Sequence, residues 1–118
     1  MDTGASEAYH ELGNIYFQQG NIASAAKNYR KYFPRAPGDQ VVAKRLGKYS
    51  YDTKSFSEAI KYLSAVRFQA EEDIDYGMMF AVSAMETRQY KDAVRVLETL
   101  RALKPKGITI FIYIKNSP

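Results

Sequence analysis

At 118 residues, 46% hydrophobic and 25% charged, the chain has the size and make-up of one globular domain, which excludes wholesale disorder. A net charge of +4 is too mild to imply nucleic acid by itself, and the lack of cysteine removes disulfides, thiolate metal sites and cysteine nucleophiles. No run approaches the ~20 apolar residues of a membrane-spanning helix. The opening Met1–Glu7 has no basic start and no apolar core, so no signal peptide is expected, and the reading leans to the cytoplasm without fixing a compartment.

Taken in chain order, helices are predicted at 6–19, 22–34, 40–53, 56–70, 74–87 and 90–103. Tyr9, Leu12, Gly13 and Tyr16 follow the i, i+3, i+4, i+7 spacing of one helical face. Gly20-Asn21 ends that run: glycine adopts the left-handed backbone that closes a helix, and asparagine accepts from the free N–H groups of the next. Lys54-Ser55 and Arg88-Gln89 stand at the corresponding breaks later in the chain. Ser55-Phe56-Ser57-Glu58 reads as a capping box, and Asp39 and Asp73 as caps of the third and fifth helices.

These elements repeat. Three segments, 6–39, 40–73 and 74–107, align at a spacing of 34 without insertion. Leu12-Gly13 recurs as Leu46-Gly47 and as Phe80-Ala81. Ile22, Phe56 and Tyr90 share one slot, Ala25, Ala59 and Ala93 another, and Tyr29, Leu63 and Leu97 a third. Pro37 recurs as Pro105. With Tyr9, Leu12, Gly13, Tyr16, Ala25, Tyr29 and Pro37, the first segment resembles the tetratricopeptide repeat family, whose pattern is W-x2-L-G-x2-Y, then A-x3-F, then P. Repeats two and three keep the alanine but place Ala43 and Gly77 at the tryptophan slot and Ser50 and Ala84 at the tyrosine slot. Large residues late in the second helices, Tyr32, Val66 and Leu100, are expected to fill the space so vacated on the next repeat's first helix. The fold class is therefore all-α: a right-handed superhelical solenoid of three helix-turn-helix units over 1–107, followed by a β-like apolar tail at 108–118.

The resemblance implies a non-enzymatic scaffold whose first helices line a concave groove for a peptide or partner helix. The face opposite the packing seam carries Glu7, His10, Glu11, Asn14, Phe17 and Gln18, then Val41, Lys44, Arg45, Lys48, Tyr51 and Asp52, then Asp75, Met78, Met79, Val82, Met85 and Glu86. Of these, Asn14, Phe17, Lys44, Arg45, Lys48, Tyr51, Met78, Met79, Val82 and Met85 are the candidate partner-binding residues. Lys44 and Lys48 stack one turn apart, which suits a carboxylate-bearing partner as well as it suits a solvated face. The methionines admit three readings: core, a groove covered by the chain itself, or an adaptable open surface. Many proteins of the resembled family clamp the acidic tails of heat-shock chaperones. At the matching places this chain has His10 and Asn14, then Arg45, then Asp75 and Met79. Only Asn14 agrees, so that ligand is not expected.

No cofactor, metal or reaction is expected either. His10 is the only histidine, and Glu7-x-x-His10 lacks the further carboxylates and second pair of a bundle metal site. No G-x-S-x-G, P-loop or G-x-G-x-x-G is present. A nucleic-acid reading rests on Lys44, Arg45, Lys48 and Tyr51, but Glu7, Glu11, Asp75 and Glu86 interrupt any phosphate track, and nucleic acid is not expected as a partner. Self-assembly is the remaining alternative. Ile108, Ile110, Phe111, Ile112 and Ile114 lie in a strict period-two alternation, a strand signal. Three outcomes stay open for it: pairing with a second molecule, lying along a groove over Met78, Val82 and Met85, or a helix on Val94, Leu97 and Leu100. A segment this apolar predicts a homo-oligomer formed through the C-terminal region. A piece excised from a longer array also fits the sequence.

Overall fold

The computed structural model describes residues 3–104. They form six helices: α1 (Thr3–Gln18), α2 (Ile22–Tyr32), α3 (Gln40–Asp52), α4 (Phe56–Leu63), α5 (Ile74–Glu86) and α6 (Tyr90–Leu103), with short 3-10 turns at Phe33–Arg35 and Glu71–Asp73. No strand occurs among the described residues. Consecutive helices pack on one another, and α3 also touches α5, so the first helices of successive repeats make one layer and the second helices the other. This is the helical solenoid expected from the 34-residue register. The oligomerisation residues Ile108, Ile110, Phe111, Ile112 and Ile114 lie outside the described residues.

Local signals set most boundaries. Gly20 closes α1 with φ of 79°, and Lys54 and Arg88 occupy the same left-handed region at 61° and 62° despite carrying side chains. The Asn21 side chain accepts from the Ser24 N–H at 3.2 Å and Asp39 from the Val42 N–H at 3.1 Å, as expected of caps. Pro34, without an N–H, turns the end of α2 into a 3-10 turn.

Within each repeat the helices meet at a glycine. A Cβ on Gly13 would stand 2.5 Å from Tyr29 Cδ1, and one on Gly47 would run into Leu63. Both pairs lie in the same slots of the register. The third repeat has Ala81 and Leu97 there. Its close approach has moved one turn earlier, to Gly77, where a Cβ would stand 2.5 Å from Leu100 Cδ2. Leu100 thus fills the space above the small residue of its own repeat, where the pairing was expected on the next one. Tyr32 departs further. It is half-buried, stacks on His10 with ring centroids 4.1 Å apart, and donates its hydroxyl to Asp39 Oδ2 at 2.8 Å.

Three other expectations are corrected. The fourth helix ends at Leu63, well before 70. Ser64 Oγ donates back to the Ile60 carbonyl, and the Gln40 amide intercepts the following segment, donating to the Ala65 carbonyl and accepting from the Arg67 N–H, both at 2.8 Å. Ser55 makes no side-chain cap to α4, so the capping box does not form. Asp73 does not cap α5. Its carboxylate turns back to accept the Gln69 and Ala70 N–H groups at 3.0 Å each.

Candidate functional site

A cavity of about 180 Å³ opens where α1, α3 and α5 come together, lined by Phe17, Ile22, Lys44, Arg45, Lys48, Asp52 and Tyr76. Helical spacing explains the set: Lys44 and Lys48 lie one turn apart on α3 with Arg45 beside them, and Phe17 comes from the last turn of α1.

The three cations are not equivalent. Lys44 donates to Asp73 Oδ1 at 2.8 Å and lies 5.3 Å from the Tyr76 ring centre. Asp73 is buried, and the Lys44 ammonium, aided by the two backbone N–H groups, holds its carboxyl below the usual aspartate range against the opposing pull of desolvation. Lys48 forms an exposed pair with Asp52 at 2.7 Å. Arg45 has no carboxylate partner among the described residues. Its guanidinium lies 3.8 Å from the Phe17 ring centre, donates to the Tyr29 hydroxyl at 2.7 Å and reaches Asn14 Oδ1 at 3.4 Å. Tyr29 in turn donates to Asn14 at 2.7 Å. The cavity therefore presents one uncompensated positive charge, fixed by neutral partners beside apolar walls. Such a site suits an anionic group carried next to an apolar one.

Asn14, Phe17, Lys44, Arg45 and Lys48 are thus brought together. Tyr51 is not among the lining residues; its ring meets Phe56 edge-on at 6.1 Å. Met78 and Val82 are buried, while Met79 and Met85 are half-buried. Met85 instead borders a second cavity, of about 360 Å³, with Tyr90, Ala93, Val94, Leu97, Glu98 and Arg101 at the far end of the solenoid. Sequence reasoning missed Tyr29, Ile22, Tyr76 and Asp73. A tyrosine at a slot where the repeat pattern has phenylalanine was the available signal, since a buried hydroxyl requires a partner. Among the described residues no cluster of three His, Asp or Glu side chains is placed to hold a metal, and no helix is long and apolar enough to cross a membrane.

Comparison with known proteins agrees with the fold. The family model described as "Tetratricopeptide repeat" matches residues 6–37. A solved structure titled "Crystal structure of MamA protein" superposes with a TM-score of 0.66 at 18% identity, over 86% of this chain and 55% of that one. The chain thus spans about half the length of that protein, and the likeness is one of fold. No curated protein matches in sequence.

Proposed function

We propose, from the premise that this chain is a tetratricopeptide repeat solenoid, that it binds an extended or helical segment of a protein partner in the concave layer of α1, α3 and α5, and that the segment carries a carboxylate beside an apolar side chain. The family is in general a non-enzymatic interaction module, and a scaffold role follows from that. The observation that carries the finer reading is Arg45: a cation held in place by Phe17, Tyr29 and Asn14, with no carboxylate to neutralise it. Lys48, whose exposed pair with Asp52 contributes little, is free to exchange partners when a ligand arrives. Lys44 serves the fold by holding Asp73. Asn14, the one residue matching the chaperone-tail clamp pattern, already accepts from Tyr29, which weighs further against that ligand.

The test is fluorescence anisotropy with synthetic peptides alternating Glu with Leu or Phe, beside controls in which Lys replaces Glu. The acidic peptides bind and the basic ones do not. Arg45→Ala weakens binding by roughly 10- to 100-fold, the value of a charge-assisted hydrogen bond. Equal binding by Arg45→Ala, with its helical spectrum intact, removes the assignment.

Self-association is the competing reading. It draws on the exposed apolar end of α6, where Tyr90 is 59% and Val94 54% exposed. Sedimentation across a wide concentration range separates the two, since a peptide scaffold needs no second copy. Nucleic acid is less well supported, because Lys44 and Lys48 already have carboxylate partners and α3 offers no track of unpaired cations.

A further inference from the structure

The open end of α6 is the half of an interface that the molecule builds twice elsewhere. At the slot shared by Ala26, Ile60 and Val94, exposure rises along the chain: Ala26 is buried, Ile60 is half-buried, and Val94 is exposed. At the slot of Tyr29, Leu63 and Leu97, the first two are fully buried and Leu97 only partly so. The second cavity lies on this uncovered face, walled by Met85, Tyr90, Val94 and Leu97. In repeats one and two the cover is the first helix of the following repeat, beginning at Gln40 and Ile74.

The same register places the next cover at residue 108, and the sequence there fits. Positions buried at the start of α3 or α5 are Val42, Ala43 and Leu46, and Ile74, Gly77, Met78 and Phe80. Shifted by one or two repeats, they fall on Ile108, Ile110, Phe111, Ile112 and Ile114, each apolar. The position exposed in both helices, Val41 and Asp75, falls on Thr109, and the groove position of Arg45 and Met79 falls on Tyr113. Phe111 lands on the tryptophan slot of the repeat pattern and Ile114 on its leucine. Lys115 departs, standing where Gly47 and Ala81 are buried, so the fit covers 108–114. Period-two alternation is what a strand requires, yet up to 114 these residues also carry an apolar side chain wherever α3 or α5 buries one. The described helices offer no strand edge to pair with, and a packed face overrides the modest helix propensity of isoleucine.

We infer that residues 108–114 of this same chain dock on α6 as the opening helix of a fourth unit, covering Tyr90, Val94 and Leu97 and setting Tyr113 at the groove position of Arg45 and Met79. Tethering favours this occupant: the segment follows α6 after only 104–107 and reaches the cavity at high effective concentration, whereas a second copy must be recruited from solution.

The chain contains no tryptophan, so Phe111→Trp in the full-length protein supplies a single fluorescent reporter. Its emission is expected at the short wavelengths of a buried indole, unchanged on dilution. It should move to longer wavelength when Val94→Asp or Tyr90→Ser is added, with far-UV circular dichroism confirming that α1–α5 remain folded. Emission at the wavelength of exposed indole overturns the proposal. So does burial that is lost on dilution, which assigns the face to a second copy, or burial indifferent to both α6 substitutions. None of these outcomes bears on Arg45, so the groove reading stands or falls separately.

Discussion

The junctions between repeats one and two and between two and three start from the same residue in the same slot, an aspartate, and use it differently. Asp39 caps α3, takes the Tyr32 hydroxyl and has His10 Nε2 at 3.8 Å. Asp73 leaves the start of α5 uncapped, gathers the N–H groups of the preceding turn and anchors Lys44 from the neighbouring first helix. One junction is tied by hydrogen bonds from groups within seven residues, and His10 of α1 stands off at 3.8 Å. The other is tied across 29 residues by an ion pair whose acidic partner is buried. A shared local signal does not determine its partner; what the adjoining helices present decides it.

Removing the long-range tie is expected to have the largest effect. Lys44→Met leaves the buried Asp73 carboxylate without its cation and should cost roughly 3 kcal/mol in urea unfolding. The acid limb should move as well. Because the Asp73 carboxyl is depressed in the folded protein, its contribution is complete above the unfolded aspartate value near pH ~4 and disappears as pH falls through the folded value. Without Lys44, desolvation acts with less opposition, so acid destabilisation begins at higher pH. An unshifted acid limb breaks the distinction between the junctions. Asp39→Ala should cost less, about 1 kcal/mol, as a lost cap with a partly exposed partner. An effect equal to that of Lys44→Met would show both junctions to be tied alike.

Tyr32→Phe is the smallest of the three, about 0.5 kcal/mol, the low end for one partly exposed hydrogen bond. It carries its own signature in alkali. Burial first, then the bond to Asp39 and its charge, push the Tyr32 hydroxyl up to about 12. Its contribution is therefore present below the ordinary tyrosine value near ~10 and is lost as pH rises from there through about 12. The difference in ultraviolet titration between the native protein and Tyr32→Phe should show one tyrosine ionising late. A difference curve at the ordinary value would remove the Asp39 bond.

What was legible in the sequence was whatever a short window determines. The 34-residue register, the six helix starts near their observed places, Gly20 and the Asn21 and Asp39 caps all follow from neighbours within a turn or two. Long-range partners were not legible. Helix periodicity places Lys44, Arg45 and Lys48 on one face, but not that Asp73 occupies the first while the second lacks a carboxylate. Nor does it reveal that Gln40, 25 residues before Ala65, ends α4 early by standing in for backbone. The methionines on α5 divide by their turn on the helix: Met78 is buried, while Met85 is half-buried and borders the far cavity.

The way Arg45 is held has a consequence for behaviour in salt. An aromatic face, a hydroxyl and an amide oxygen fix the guanidinium, and contacts of that kind depend little on mobile ions. At physiological ionic strength, with a Debye length of ~8 Å, the exposed Lys48–Asp52 pair loosens while Arg45 keeps its place. The geometry of the groove is then the same in dilute and concentrated electrolyte, and only the reach of its attraction shortens. The acidic partner proposed above would arrive more slowly as salt rises, but would meet the same prepared site.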